Sequence, residues 1–131
     1  MTRLISTIHA ISTGVLIAAV LLAYGCGDSA GNSDRRFGVE IPSDQPVVEL
    51  ASVLENPADF NGRNVVMRGI VSGQCVSLCE FFLLDGAHSA TIYPQGFEFP
   101  KLERGGKVTI YALVTSGEEN VVISALGLRT E

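Results

Sequence analysis

Apolar and polar residues alternate along much of the second half of the chain. Lys107 to Thr115 puts Val108, Ile110, Ala112 and Val114 on one face and Thr109, Tyr111 and Leu113 on the other, the period-two pattern of a half-buried strand. The Ser116-Gly117 turn ends that run, and Asn120 to Leu126 repeats it. Upstream, after Asn61-Gly62, Val65, Met67, Gly69 and Val71 alternate with Val66, Arg68, Ile70 and Ser72. Glu80 to Leu84 and Ser89 to Tyr93 flank Asp85-Gly86-Ala87-His88. An Asp-Gly between apolar runs predicts a hairpin, because Gly supplies the positive φ that primed turns require. One stretch breaks the rule: Val47, Leu50, Ala51 and Leu54 have the spacing of a helical face, with Asn56-Pro57 as its stop.

These elements make the chain mainly β. Five short strands, one short preceding helix and a longer connection from Pro94 to Gly106 predict a small five-stranded OB-like Greek-key barrel over residues 47–131, since closure removes most of the exposed strand edge. Phe81 and Phe82 point to opposite faces of their strand. Phe82 is expected in the core, with Phe81 packed under the helix or the long connection. Phe97-Glu98-Phe99-Pro100 reads as a lid over the barrel end, or as a partner contact made through Phe97 and Phe99.

The N-terminal segment has a different character. Arg3 is followed by an uncharged stretch, with His9 neutral, that runs to Gly27, and its strictly apolar heart is Val15 to Ala23. That length suits a secretory signal better than a membrane-spanning helix, which needs about 20 apolar residues. Leu22-Ala23-Tyr24-Gly25-Cys26 resembles a bacterial lipobox, with Ala23 where Leu is usual and Tyr24 bulkier than usual. The resemblance implies a signal peptide over 1–25, acylation of Cys26 and a domain held outside the cytoplasm at a membrane of the bacterial cell envelope. A plain cleaved signal and an uncleaved anchor are the alternatives, and both also export the domain. Residues 26–46 are then the lipidated Cys and a Gly, Ser, Asp and Pro-rich flexible linker, a coil spanning about 25 Å. Arg35-Arg36 within it reads as solvated linker.

Asn56-Pro57, Phe60-Asn61-Gly62-Arg63, Val65, Gly69-Ile70-Val71, Cys75, Cys79, Phe82, Leu83 to Gly86, Gly106-Lys107-Val108 and the Val121, Ile123, Ala125 ending resemble small bacterial OB-fold lipoproteins and periplasmic proteins of uncharacterised domain families. The resemblance covers residues 47–128. It implies fold and compartment and brings no activity. In those proteins a Cys pair between the first two strands is commonly followed by an aromatic. Here Glu80 intervenes before Phe81, and the Trp often seen after the second Cys is absent.

Charge narrows the range of partners. Nine basic residues against fourteen acidic ones leave the chain at −5, which disfavours a nonspecific phosphate-backbone footprint. One of Phe81 and Phe82, exposed near Tyr93, as a base-stacking platform is accordingly the minor reading. Attachment to the membrane then depends on the lipid, at about 0.8 kcal/mol per buried methylene.

Cys75-Val76-Ser77-Leu78-Cys79 is the chemically suggestive feature. In an oxidising compartment the first expectation is a disulfide, contributing about 2 kcal/mol through a five-residue loop. A two-thiolate site for Cu(I), a redox pair and unpaired thiols are the alternatives. His88 lies at the far end of the predicted hairpin from Cys79, and Met67 is displaced along its strand, so neither is placed to complete a metal site. Ser89 beside His88 points to the opposite face and lacks a third triad member. Asp85, Glu98, Glu103 and Glu118-Glu119 read as solvated turn charges. The expectation is a noncatalytic binding or envelope-interaction module whose partner is an envelope protein or a small ligand. A copper-handling or redox protein using Cys75 and Cys79 is the alternative.

Overall fold

The structure, a computed structural model, describes residues 34–131. The signal segment, Cys26 and the first part of the expected linker lie outside the described residues. The chain runs β1 (Arg35–Gly38), α1 (Leu50–Glu55), α2 (Pro57–Phe60), β2 (Asn64–Gln74), β3 (Phe81–Asp85), β4 (His88–Pro94), β5 (Lys107–Ser116) and β6 (Val121–Thr130). The last five strands close in the order β5-β2-β3-β4-β6, with β6 returning to β5. Every pairing in the barrel is antiparallel except β4 with β6. This is a closed OB-like barrel carrying one extra strand.

Closure depends on β2. Its first part, Asn64 to Ile70, pairs with β5, and Ile70 to Gln74 pairs with β3. A register shift between Val71 and Gly73 turns the strand from one partner to the other, as an inserted residue does in a bulge. Inside, Val65, Met67, Val71, Phe81, Leu83, Ile92, Val108, Ile110, Ala112, Val114, Ile123, Ala125 and Leu128 form one buried cluster. The inward set expected for β5 is fully reproduced. Phe81 and Phe82 are exchanged relative to expectation: Phe81 is fully buried and Phe82 is 37% exposed. The strand begins one residue later than the sequence pattern suggests, and the inward phase follows Phe81 and Leu83.

Both ends of the barrel are plugged. α1 seals one end with Leu50 and Val53. The helix starts three residues later than expected. Val47, predicted on its buried face, instead stays extended and 44% exposed, bridging Val66 in parallel where β2 has no β3 partner. Pro57 both stops α1 and opens α2 at its first turn, where its missing N–H costs nothing. The Asp85-Gly86 hairpin forms as predicted, with Gly86 at φ 62° and Asp85 opposite His88. Asp85 is more than a solvated turn charge, because its Oδ2 accepts the backbone N–H of Leu50 at 3.1 Å. The residue preceding α1, Glu49, makes no side-chain cap, so Asp85 satisfies one of the helix's orphan donors from across the barrel end.

The segment from Asp34 to Pro46, expected to be linker throughout, contributes β1. Arg35 to Gly38 pair antiparallel with Thr130 to Gly127 of β6. β6 is ten residues long, yet β4 uses only Ile123 to Ala125 of its edge. β1 covers Gly127 to Thr130, which would otherwise be an open template for strand addition. The approach is close enough to require glycine on both strands. A Cβ on Gly127 would stand 2.2 Å from the Val39 carbonyl oxygen, and one on Gly38 would stand 2.2 Å from that of Leu126. Gly127→Ala is expected to displace β1 and destabilise the fold by about 1–3 kcal/mol, read by urea unfolding, with faster amide exchange at Val39, whose N–H bonds Leu126.

Candidate functional site

Two surface features have the makings of a site: the loop joining β2 to β3, and a groove where β4 and β6 part. The loop is a tight excursion. Leu78 N–H bonds the Cys75 carbonyl at 2.9 Å, and Cys75 N–H bonds the Glu80 carbonyl at 3.0 Å. Leu78 alone among the described non-glycine residues has positive φ, at 61°, a conformation that costs a bulky side chain energy. Val76 projects fully into solvent.

This turn brings the two thiols together. Cys79 Sγ lies 2.8 Å from Cys75 Sγ, and Ser77 Oγ lies 3.1 Å from Cys75 Sγ. A disulfide sulfur pair is about 2.05 Å apart, so both cysteines are free thiols here, and the expected disulfide is not formed in this structure. Contact with Cys79, and then with Ser77, favours the thiolate at Cys75 and brings its pKa from 9.0 down to about 7. Sharing that proton raises Cys79 instead, with the Cys75 and Glu80 charges adding to the rise. Among the described residues no third His, Cys, Asp or Glu joins the pair in a metal-binding group. Met67 is fully buried in the core. His88 sits across from Asp85, at the opposite end of the β3–β4 hairpin from Cys79.

Phe97 and Phe99 stack in succession on the buried Phe81. Phe99 is buried and meets Phe81 edge-on at 5.0 Å, while Phe97 meets Phe99 edge-on at 5.5 Å. Together with Leu102 they plug the barrel end opposite α1, which is the lid reading; Phe97 is left half-buried beside Gly38. Gln74 fastens the lid. Its Nε2 donates to the Pro100 carbonyl at 2.9 Å, and its Oε1 accepts Leu102 N–H at 2.9 Å. Arg104 Nε adds a bond to the Ser72 carbonyl at 2.8 Å. Nothing in the sequence pattern marks Gln74, because its partners lie more than twenty residues away.

The groove follows from the short parallel pairing. Only Ile92 to Pro94 of β4 touches β6, so Ser89 and Thr91 stand apart from Val121 and Val122. The opening, about 510 Å³, is lined by these residues with Leu54, Tyr93, Glu119 and Asn120. Tyr93 is 41% exposed, and Phe82 opens onto the same outer face one strand away. The sequence did suggest an exposed aromatic near Tyr93. The Ser, Thr and Asn at the groove carried no separate signal.

No protein-family model matches the sequence, and no curated protein matches it. Among solved structures, a chain assigned as an aspartyl-tRNA synthetase from Leishmania major Friedlin superposes with TM-score 0.54 at 12% identity, over 71% of this chain and 22% of that one. Another, from work described as "Structural mimicry for functional antagonism", gives TM-score 0.51 at 12% identity, over 66% of this chain and 47% of that one. The chain thus spans less than half the length of either. At that identity the likeness is one of fold, and the class it shares with the pairing described above is the OB-like β-barrel.

Two outcomes are expected of the thiols and the lid. In the reduced protein, iodoacetamide modifies Cys75 with a rate that rises with pH and is half-maximal near pH 7, mapped by peptide mass, and Cys75→Ser removes that phase. Gln74→Leu leaves Leu102 N–H and the Pro100 carbonyl without their partner and destabilises the fold by about 1–3 kcal/mol, with amide exchange at Leu102 accelerated.

Proposed function

We propose that this protein is a lipid-anchored extracytoplasmic binding module of the bacterial envelope, tethered through Cys26, whose ligand surface is the outer face of β3 and β4 with the adjoining β4–β6 groove. The reading shares the fold and compartment implied by the resemblance to small OB-fold lipoproteins. The observation that carries it is the 510 Å³ groove beside exposed Tyr93. It is lined by β4, the loop before β6, the start of β6 and Leu54 of α1, beside the β3–β4 face that corresponds to the surface on which OB barrels bind oligonucleotides and oligosaccharides.

The lining favours an uncharged polar ligand. Ser89, Thr91, Tyr93 and Asn120 offer hydroxyl and amide groups, and Glu119 is the one charge among the lining residues. A phosphate backbone would meet that carboxylate in a protein of net charge −5, against the usual electrostatics of nucleic-acid binding. The lining contains no nucleophile–base–orienter set of the kind catalysis requires.

Two measurements test the reading. Protein purified natively from its own envelope should have the mass of residues 26–131 plus acyl chains; an unmodified full-length mass sinks the tether. Titrating a neutral chito-oligosaccharide should shift the NMR signals of Ser89, Thr91, Tyr93 and Val122, and Tyr93→Ala should weaken binding about tenfold, the equivalent of about 1.4 kcal/mol. A short oligothymidylate should leave those signals in place. Shifts confined to another face would overturn the assignment.

A further inference from the structure

We propose that the Cys75–Cys79 loop, once oxidised by exchange with a disulfide oxidant that takes its two electrons and two protons and leaves as two thiols, donates its disulfide to a partner thiol whose neighbouring side chain is apolar, with Cys79 as the sulfur attacked and Cys75 as the sulfur that leaves. This goes beyond the binding reading and does not depend on the β4–β6 groove.

Three features of the loop converge on that assignment. The sulfurs are already 2.8 Å apart, so closing to a bond of about 2.05 Å needs a small movement within a loop whose backbone is set by its own hydrogen bonds. The two sulfurs have different surroundings. Cys79 is exposed and forms one wall of a cleft of about 290 Å³, whose other walls are the apolar Leu78, Pro94, Phe97 and Phe99 with Ser77 and Glu98. Cys75 is half-buried and has Ser77 Oγ 3.1 Å from its sulfur. An incoming thiolate therefore meets Cys79 first, and the sulfur expelled is the one with a hydroxyl beside it. A leaving thiol of low pKa departs faster, and the Ser77 hydroxyl, which favours the thiolate at Cys75, is still beside it when Cys79 is bonded to the partner sulfur.

Stabilising the reduced form makes the oxidised form a stronger oxidant. The charged groups about the pair are Glu80, which follows Cys79, and Glu98 on the cleft wall. Both are acidic, so the thiolate owes its stability to the Cys79 and Ser77 contacts and not to a cation.

The exchange balances as two displacements. A partner thiolate RS⁻ attacks Cys79 Sγ, the Cys75–Cys79 bond breaks, and Cys75 leaves as thiolate with the bonding pair. A second RS⁻ attacks the partner sulfur of the Cys79–S–R mixed disulfide, releasing Cys79 thiolate and R–S–S–R. Two electrons pass from two partner thiols to the protein, and Cys79 takes a proton from solvent.

The test uses the full chain oxidised with diamide and two peptides, Ac-Phe-Cys-Gly-amide and Ac-Gly-Cys-Gly-amide. The reaction is quenched with N-ethylmaleimide and mapped by peptide mass. The expected result is a mixed disulfide on Cys79 and maleimide on Cys75. The Phe peptide should react about tenfold faster than the Gly peptide, the factor that about 1.4 kcal/mol of apolar burial supplies. Phe97→Ala should remove that preference, bringing the Phe-peptide rate to that of the Gly peptide measured on the same variant. The wild-type preference stands as the measure if the variant does not fold. A mixed disulfide on Cys75, equal rates for the two peptides, or a disulfide that resists both overturns the proposal.

Discussion

The fold depends on one strand having two partners. β2 is eleven residues long, enough to hydrogen-bond β5 through its first half and β3 through its second. The register shift after Val71 turns it between them. Without that bend the sheet would remain open, β5 and β3 would each present an unpaired edge, and the inward residues of β5 and β6 would lack the opposite wall. The same bend sends Gln74 toward the lid segment and ends the strand at the cysteine loop, so the chemistry of that loop is set by how the barrel closes.

Closure leaves two openings, and the chain fills each with a segment distant in sequence. At one end α1 is held by an aspartate from the β3–β4 turn. At the other, Phe99 and Leu102 enter the core while Gln74 binds the backbone that carries them. These polar contacts place apolar plugs. A partly buried amide or carbonyl left unpaired is costly, so each bond fixes where a nearby apolar side chain can go. Where β4 and β6 pair over only three residues, no segment fills the gap on the outer face, and that gap is the groove beside Tyr93.

What could be read from the sequence was whatever repeats locally. The alternation of Val108, Ile110, Ala112 and Val114, the Asp85-Gly86 turn and the mainly β barrel are all present in the structure. Each follows from the two-residue period of a strand or from the freedom of one glycine. The nearness of Cys75 and Cys79 was likewise implied by four residues of chain. β1 was not legible: Arg35-Arg36-Phe37-Gly38 has no hydrophobic period, and what forms it is the backbone edge of β6 left bare by β4. Nor was the inward choice of Phe81 over Phe82, since two adjacent aromatics satisfy either phase and the pairing of Phe81 with Ile92 and Gln74 selects one.

The sequence by itself therefore determined the class of the domain and the place of its thiols, because periodicity and turn chemistry act between residues a few positions apart. Tertiary structure alone decided which thiol is favoured as thiolate, where the groove opens, and that Gln74 fastens the lid. Those outcomes depend on contacts such as Gln74 with Leu102, Asp85 with Leu50 and Phe81 with Phe99. A pattern read along the chain carries no information about such pairings until the barrel closes.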